Sequence, residues 1–106
     1  MVQGTRKIVW TSFAKESKYA IFLYWNQRNK STSYSRKLNV LFQESLKQVV
    51  KFPESSIESN NSNVRLKIAS HFELIYHISN TRITILDIWD TRQNPENFSQ
   101  LNKFKT

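Results

Sequence analysis

The apolar residues of this chain change their period once, and that change limits the fold more than any other feature. From Phe13 to Phe52 they recur every three or four residues; from Val64 they recur every second residue. The first spacing is that of an amphipathic helix and the second that of a half-buried strand. The boundary is Pro53, which pushes the residue before it out of the helical region. Residues 54–63 follow as a polar loop (Glu-Ser-Ser-Ile-Glu-Ser-Asn-Asn-Ser-Asn) with Ile57 as its one apolar anchor.

Within the first half, Lys7–Trp10 reads as a short strand, and Thr11-Ser12 can cap the start of a helix. From Phe13 onward, Phe13, Ser17, Ala20/Ile21 and Tyr24 form one stripe, and the helix should stop near Arg28-Asn29. A second helix fits Ser33 to Phe52, with Tyr34, Leu38, Leu41/Phe42, Ser45 and Val49 on its apolar face. So short a connection predicts an antiparallel helical hairpin. In the second half, Val64, Leu66 and Ile68 alternate with Arg65 and Lys67, and Phe72, Leu74, Tyr76 and Ile78 alternate with Glu73, Ile75 and His77. A turn at Ser79-Asn80-Thr81 leads into the strand-like run Arg82–Asp90, and Asn94-Pro95-Glu96 can start a short terminal helix. The predicted class is α+β: an N-terminal strand, an antiparallel two-helix hairpin, then a three-stranded antiparallel meander (β-α-α-β-β-β) with a short C-terminal helix. Helices on one sheet face leave the other open, and that face is expected to carry Arg65, Lys67, Glu73 and His77.

A chain of 106 residues has the length of one domain, here 1–106. Its net charge of +8 is uneven, because residues 1–53 hold ten Lys or Arg against only Glu16 and Glu44. Such a domain suits phosphate, an anionic surface or an acidic protein. No cysteine is present, which removes disulfides, thiol nucleophiles and Cys-based metal sites. With no His pair at ligand spacing either, no metal and no cofactor are expected. The near-apolar run Tyr19 to Trp25 is too short to span a bilayer, and no secretory signal is evident, so the expected location is the cytoplasm with no membrane partner.

The stretches Val64-Arg65-Leu66-Lys67-Ile68, Phe72-Glu73-Leu74-Ile75-Tyr76-His77-Ile78 and Ile85-Leu86-Asp87-Ile88-Trp89-Asp90-Thr91-Arg92-Gln93-Asn94-Pro95-Glu96 resemble the RelE/ParE superfamily of bacterial toxins. So do Ile8-Val9-Trp10-Thr11, a helix with Tyr24-Trp25, and Ser35-Arg36-Lys37-Leu38 in a second helix. The likeness runs over roughly residues 7–98 and rests on the order and spacing of short pieces. It implies the toxin of a type II toxin–antitoxin pair, held inactive by a cognate antitoxin protein. RelE-like toxins cleave messenger RNA in the ribosome; ParE-like toxins share the fold and inhibit DNA gyrase.

In the ribosome-dependent nucleases, cations around the scissile phosphate stabilise the charge that develops as a ribose 2′-OH attacks it. By resemblance Arg65 and Lys67 take the second-strand basic positions, and Arg92 takes the position of the arginine after the last strand. Glu73 stands where a third-strand arginine belongs, and Phe98 stands roughly where a tyrosine would. A carboxylate repels phosphate and a phenyl ring exchanges no proton, and ParE-like members also lack that arginine. The same residues have plainer readings. Arg65 and Lys67 suit an exposed strand face, and Arg92 suits a tie to Asp90 or Glu96 that fixes the C-terminal segment. His71 and His77 read as structural or surface histidines, and Trp25 as filling between helices and sheet. Asp87 and Asp90, three apart on a strand, point to opposite faces and make no acid/base pair. Both target readings therefore stand, beside a third: a non-toxic basic RNA- or protein-binding relative of the same fold.

Overall fold

The computed structural model describes residues 6–53, 57–58 and 63–92. Strand β1 (Lys7–Trp10) leads into α1 (Ser12–Asn29) and α2 (Ser33–Lys51). Then come β2 (Ile57–Glu58), β3 (Val64–Ala69), β4 (Phe72–Ile78) and β5 (Arg82–Asp90). The order is the predicted one, with a two-residue strand added inside the polar loop. There Ile57 pairs with Leu66 and Glu58 with Arg65. The short terminal helix at Asn94-Pro95-Glu96 lies outside the described residues.

The five strands form one mixed sheet in the order β1-β5-β4-β3-β2. β3, β4 and β5 are the antiparallel meander, and β1 runs parallel to β5. A parallel neighbour needs a long crossover, which the helical hairpin between β1 and the meander supplies. Thr11 makes the first corner. Its backbone is extended, its Oγ1 accepts the Ala14 N–H at 3.0 Å, and the same hydroxyl donates to the Ile85 carbonyl at 3.0 Å. One side chain thus caps α1 and binds it to β5.

α1 ends on Lys30, whose φ of 53° is left-handed and whose N–H donates to the Asn26 carbonyl. The Ser35 hydroxyl donates to the Asn26 side chain and ties the two helices together at the turn. α2 stops as Pro53 requires, and the Tyr76 hydroxyl, from the middle of the sheet, donates to the Pro53 carbonyl at 3.0 Å.

The main core lies between the helical pair and one face of the sheet. Leu38, Phe42, Leu46 and Val49 of α2 meet Phe72, Leu74, Tyr76, Ile83, Ile85 and Ile88. Phe42 is its centre, with Phe22 stacked at 6.2 Å and Phe72 edge-on at 5.2 Å. α2 buries the expected stripe. α1 is turned by about one residue from the expected stripe: Ala14 and Ile21 are buried, while Phe13 and Tyr24 are exposed. Apolar residues run continuously from Tyr19 to Trp25, so the sequence of α1 has weak angular preference, and the corner at Thr11 sets its rotation.

Between Ile75 and Tyr76 the β4–β5 register shifts, because Ile75 faces Asp87 and Tyr76 faces Ile85. Leu86 is the extra residue of this bulge. It explains why Ile83 and Ile85 join the main core at odd positions and Ile88 at an even one.

Candidate functional site

Register decides where the candidate cations point. Two residues, Ser70 and His71, connect β3 to β4, Ser70 with a left-handed φ of 59°. The turn sets Ala69 opposite Phe72, Lys67 opposite Leu74 and Arg65 opposite Tyr76. Directly paired residues share a face, and Phe72, Leu74 and Tyr76 face the helices. Arg65 and Lys67 therefore lie on the helix side of the sheet. Val64 and Leu66 go to the far face, where they form a second small cluster with Ile75 and Leu86.

This corrects the expected open face carrying Arg65, Lys67, Glu73 and His77 together. Only Glu73 and His77 of the four lie opposite the helices, in register with Ile68 and Val64. An alternating strand fits either orientation, and the larger side chains of β4 claimed the helix side. Arg65 is 5 % exposed, Lys67 half-buried. On the far face Glu73 pairs in register with Trp89, and its Oε1 is buried without a hydrogen-bond partner among the described residues. Asp87 faces Ile75 and Asp90 faces Phe72, so the two carboxylates take opposite faces as expected.

Arg92, just past β5, closes a compact cluster on the helix side. Its guanidinium lies 4.5 Å from the Trp25 ring centre, 5.3 Å from Phe72 and 5.7 Å from Tyr34. Its Nη2 donates to the Tyr34 hydroxyl at 2.7 Å, and its Nε lies 3.4 Å from Asp90 Oδ1. That oxygen also accepts the Arg92 backbone N–H at 3.0 Å, while Oδ2 accepts the Trp25 indole N–H at 2.8 Å. Asp90 is thus a buried hub with both oxygens engaged, as a carboxylate in the core requires. Burial acts to lower the Arg92 pKa, but the Tyr34 hydrogen bond and the Asp90 charge outweigh it and hold the guanidinium above its ordinary value.

The tie between Arg92 and Asp90 is the plainer of the two roles the sequence offered; Glu96 and Phe98 lie outside the described residues. Trp25 fills the layer between helix and sheet. Tyr34 is the partner the sequence did not disclose, because its place in the α2 stripe reads as simple core. His71 is exposed in the β3–β4 turn, where its carbonyl accepts the Thr91 N–H and hydroxyl at 3.0 and 2.8 Å. His77 is half-buried. No group of three or more His, Cys, Asp or Glu able to hold a metal occurs among the described residues, and no described helix is long and apolar enough to cross a membrane.

An outer groove of about 540 Å³ runs between α1 and α2, lined by Tyr19, Leu23, Val40 and Arg36 among others. Two smaller hollows of about 230 and 450 Å³ lie between β1 and α2, and Asn39 lines both the first of them and the outer groove.

No family model matches the sequence, and no curated protein does. The fold resembles a solved structure, a chain from "Chromosomal ParDE TA system from P. aeruginosa". The TM-score is 0.65 at 18% identity, over 79% of this chain and 94% of that one. The strand–hairpin–meander architecture is therefore shared with a chain of that system.

Proposed function

We propose that the protein is the toxin of a type II toxin–antitoxin system, in the RelE/ParE superfamily, and that it arrests growth until an antitoxin binds. The reading is carried by the agreement between the ordered sequence resemblance and the likeness in fold to a chain from a ParDE system. The excess of cations on the first half suits a small acidic antitoxin. The direct test is tightly controlled induction in bacteria, with and without any short reading frame for an acidic protein found beside the gene. Growth arrest relieved by the neighbour supports the reading; unimpeded growth with no neutralising partner refutes it.

Between the two targets, the side-chain geometry favours the ParE-like one, inhibition of DNA gyrase by protein–protein contact. A phosphate clamp must be reachable, and Arg65 is 5 % exposed while Arg92 is committed to Asp90, Tyr34 and Trp25. The competing reading keeps Arg65, Lys67 and Arg92 as transition-state cations for messenger cleavage on the ribosome, without metal. The two separate in vitro. Inhibition of gyrase supercoiling with translating ribosomes left intact supports the first; A-site messenger cleavage that disappears in Arg65→Ala and Lys67→Ala supports the second.

A further inference from the structure

Lys18 reaches from α1 to β1, where its ammonium stands 4.2 Å from the Trp10 ring centre. The side chain is half-buried and lines the smaller hollow, of about 230 Å³. To that hollow β1 contributes Ile8 and Trp10, and α2 contributes Phe42 and Leu46 with the amides of Asn39 and Gln43. Lys47 also lines it, and no carboxylate does among the described residues.

A half-buried cation ordinarily finds an opposite charge, and this one does not. Lys18 makes no ion pair and no hydrogen bond among the described residues. Its charged neighbours are Lys15, one turn back on α1, and Lys47 on the α2 wall. Lys47 in turn reaches an exposed Glu44 at 3.6 Å, and β1 sends no charged side chain into the hollow. Burial, then the Lys15 charge, favours the neutral amine over the ammonium. The Trp10 ring holds the nitrogen in either state, an ammonium by cation–π attraction and an amine by an N–H···π contact.

A neutral, positioned primary amine is a nucleophile, and the hollow limits what it can attack. At roughly 30 Å³ per water the space holds several waters, which is room for an acyl chain of two or three carbons. The two neighbouring cations favour a reagent whose leaving group is a phosphate, and the Asn39 and Gln43 amides supply donors for a carbonyl oxygen.

We propose that Lys18 is an acylation site, which takes the acyl group of a small acyl phosphate. Nζ attacks the carbonyl carbon and forms the C–N bond of an amide. The bond from that carbon to the phosphate oxygen breaks, and phosphate leaves with its electron pair and takes up the proton that Nζ sheds. Lys15 and Lys47 offset the charge gathered on the phosphate. The acylated side chain is neutral and suits an apolar hollow, and the chain loses one positive charge where β1 meets α2. The site rests on neither target reading.

The test is incubation of the folded full chain with acetyl phosphate, following each of the ten lysines by peptide mass mapping. Lys18 should react about tenfold faster than the exposed Lys30 and Lys37, because a cleft of one sign concentrates anions. Its rate should climb with pH and level off below 10.5. In concentrated urea the preference for Lys18 should vanish. Lys47→Gln, at an exposed side chain, should slow the reaction with acetyl phosphate about threefold. The same variant should leave acetylation by the uncharged N-hydroxysuccinimide ester of acetic acid unchanged. A Lys18 rate no higher than that of Lys30 and Lys37, or a preference that survives in urea, overturns the proposal. So does a Lys47→Gln variant that slows both reagents equally or neither.

Discussion

Arg92 shows how one residue can be legible in position and not in purpose. Its place after the last strand is visible in the sequence, but the ring faces around it come from both helices and from β4. Removing it costs the cation–π contacts and one partner of a buried carboxylate. Arg92→Ala should therefore lower unfolding stability by about 1–3 kcal/mol in urea titrations. Arg92→Lys should recover less than half of that, because an ammonium cannot serve Tyr34 and Asp90 with one rigid fork. A neutral effect of both would mean the cluster contributes nothing. Lys30 is a second residue-scale case. A Cβ at φ 53° is strained, so Lys30→Gly should raise stability by about 0.5–1 kcal/mol in the same assay. Lys18 is a third. Burial, then repulsion from Lys15, lowers its pKa below 10.5. The folded state therefore binds fewer protons than the unfolded one in the window below 10.5, and stability linked to this residue rises with pH there. The difference between wild type and Lys18→Met should shift in favour of wild type as pH approaches 10.5, and a pH-independent difference would contradict this.

The elements themselves were written plainly wherever one face was unambiguous. α2 has a clean apolar stripe, a proline stop and a polar opposite face, and it packs as read. Phe42, at its centre, is 1 % exposed and touches both Phe22 and Phe72, so Phe42→Ala should cost about 3–5 kcal/mol by thermal or urea unfolding. α1 and β3 were legible as elements but not in orientation. The first is apolar nearly all round between Tyr19 and Trp25, so its rotation depends on Thr11 and Ile85, two residues 74 apart. The second alternates, but period-two patterning does not say which set faces inward; the Ser70-His71 turn and the bulk of Phe72 and Tyr76 decide that. The two-residue strand at Ile57–Glu58 sits in sequence that reads as loop, because pairing with Leu66 and Arg65 is a tertiary fact.

At the scale of the molecule, the order of elements was legible because hydrophobic period changes only once. The parallel placement of β1 beside β5 was not, since nothing local to Lys7–Trp10 encodes its neighbour. The site divides the same way. Arg65 and Lys67 were identifiable as cations on a strand and Arg92 as one just after the last strand, whereas the helix-side placement of the first two follows from register and that of Arg92 from its ties to Asp90, Tyr34 and Trp25. That placement bears on the proposed function, in which the protein is a toxin that acts by binding its target. The most direct measurement is pulse labelling after controlled induction, following thymidine and methionine incorporation in parallel. An early fall in thymidine incorporation, with methionine incorporation falling later, is the predicted result. An early collapse of methionine incorporation would contradict it, and would return Arg65, Lys67 and Arg92 to the centre of a messenger-cleaving site.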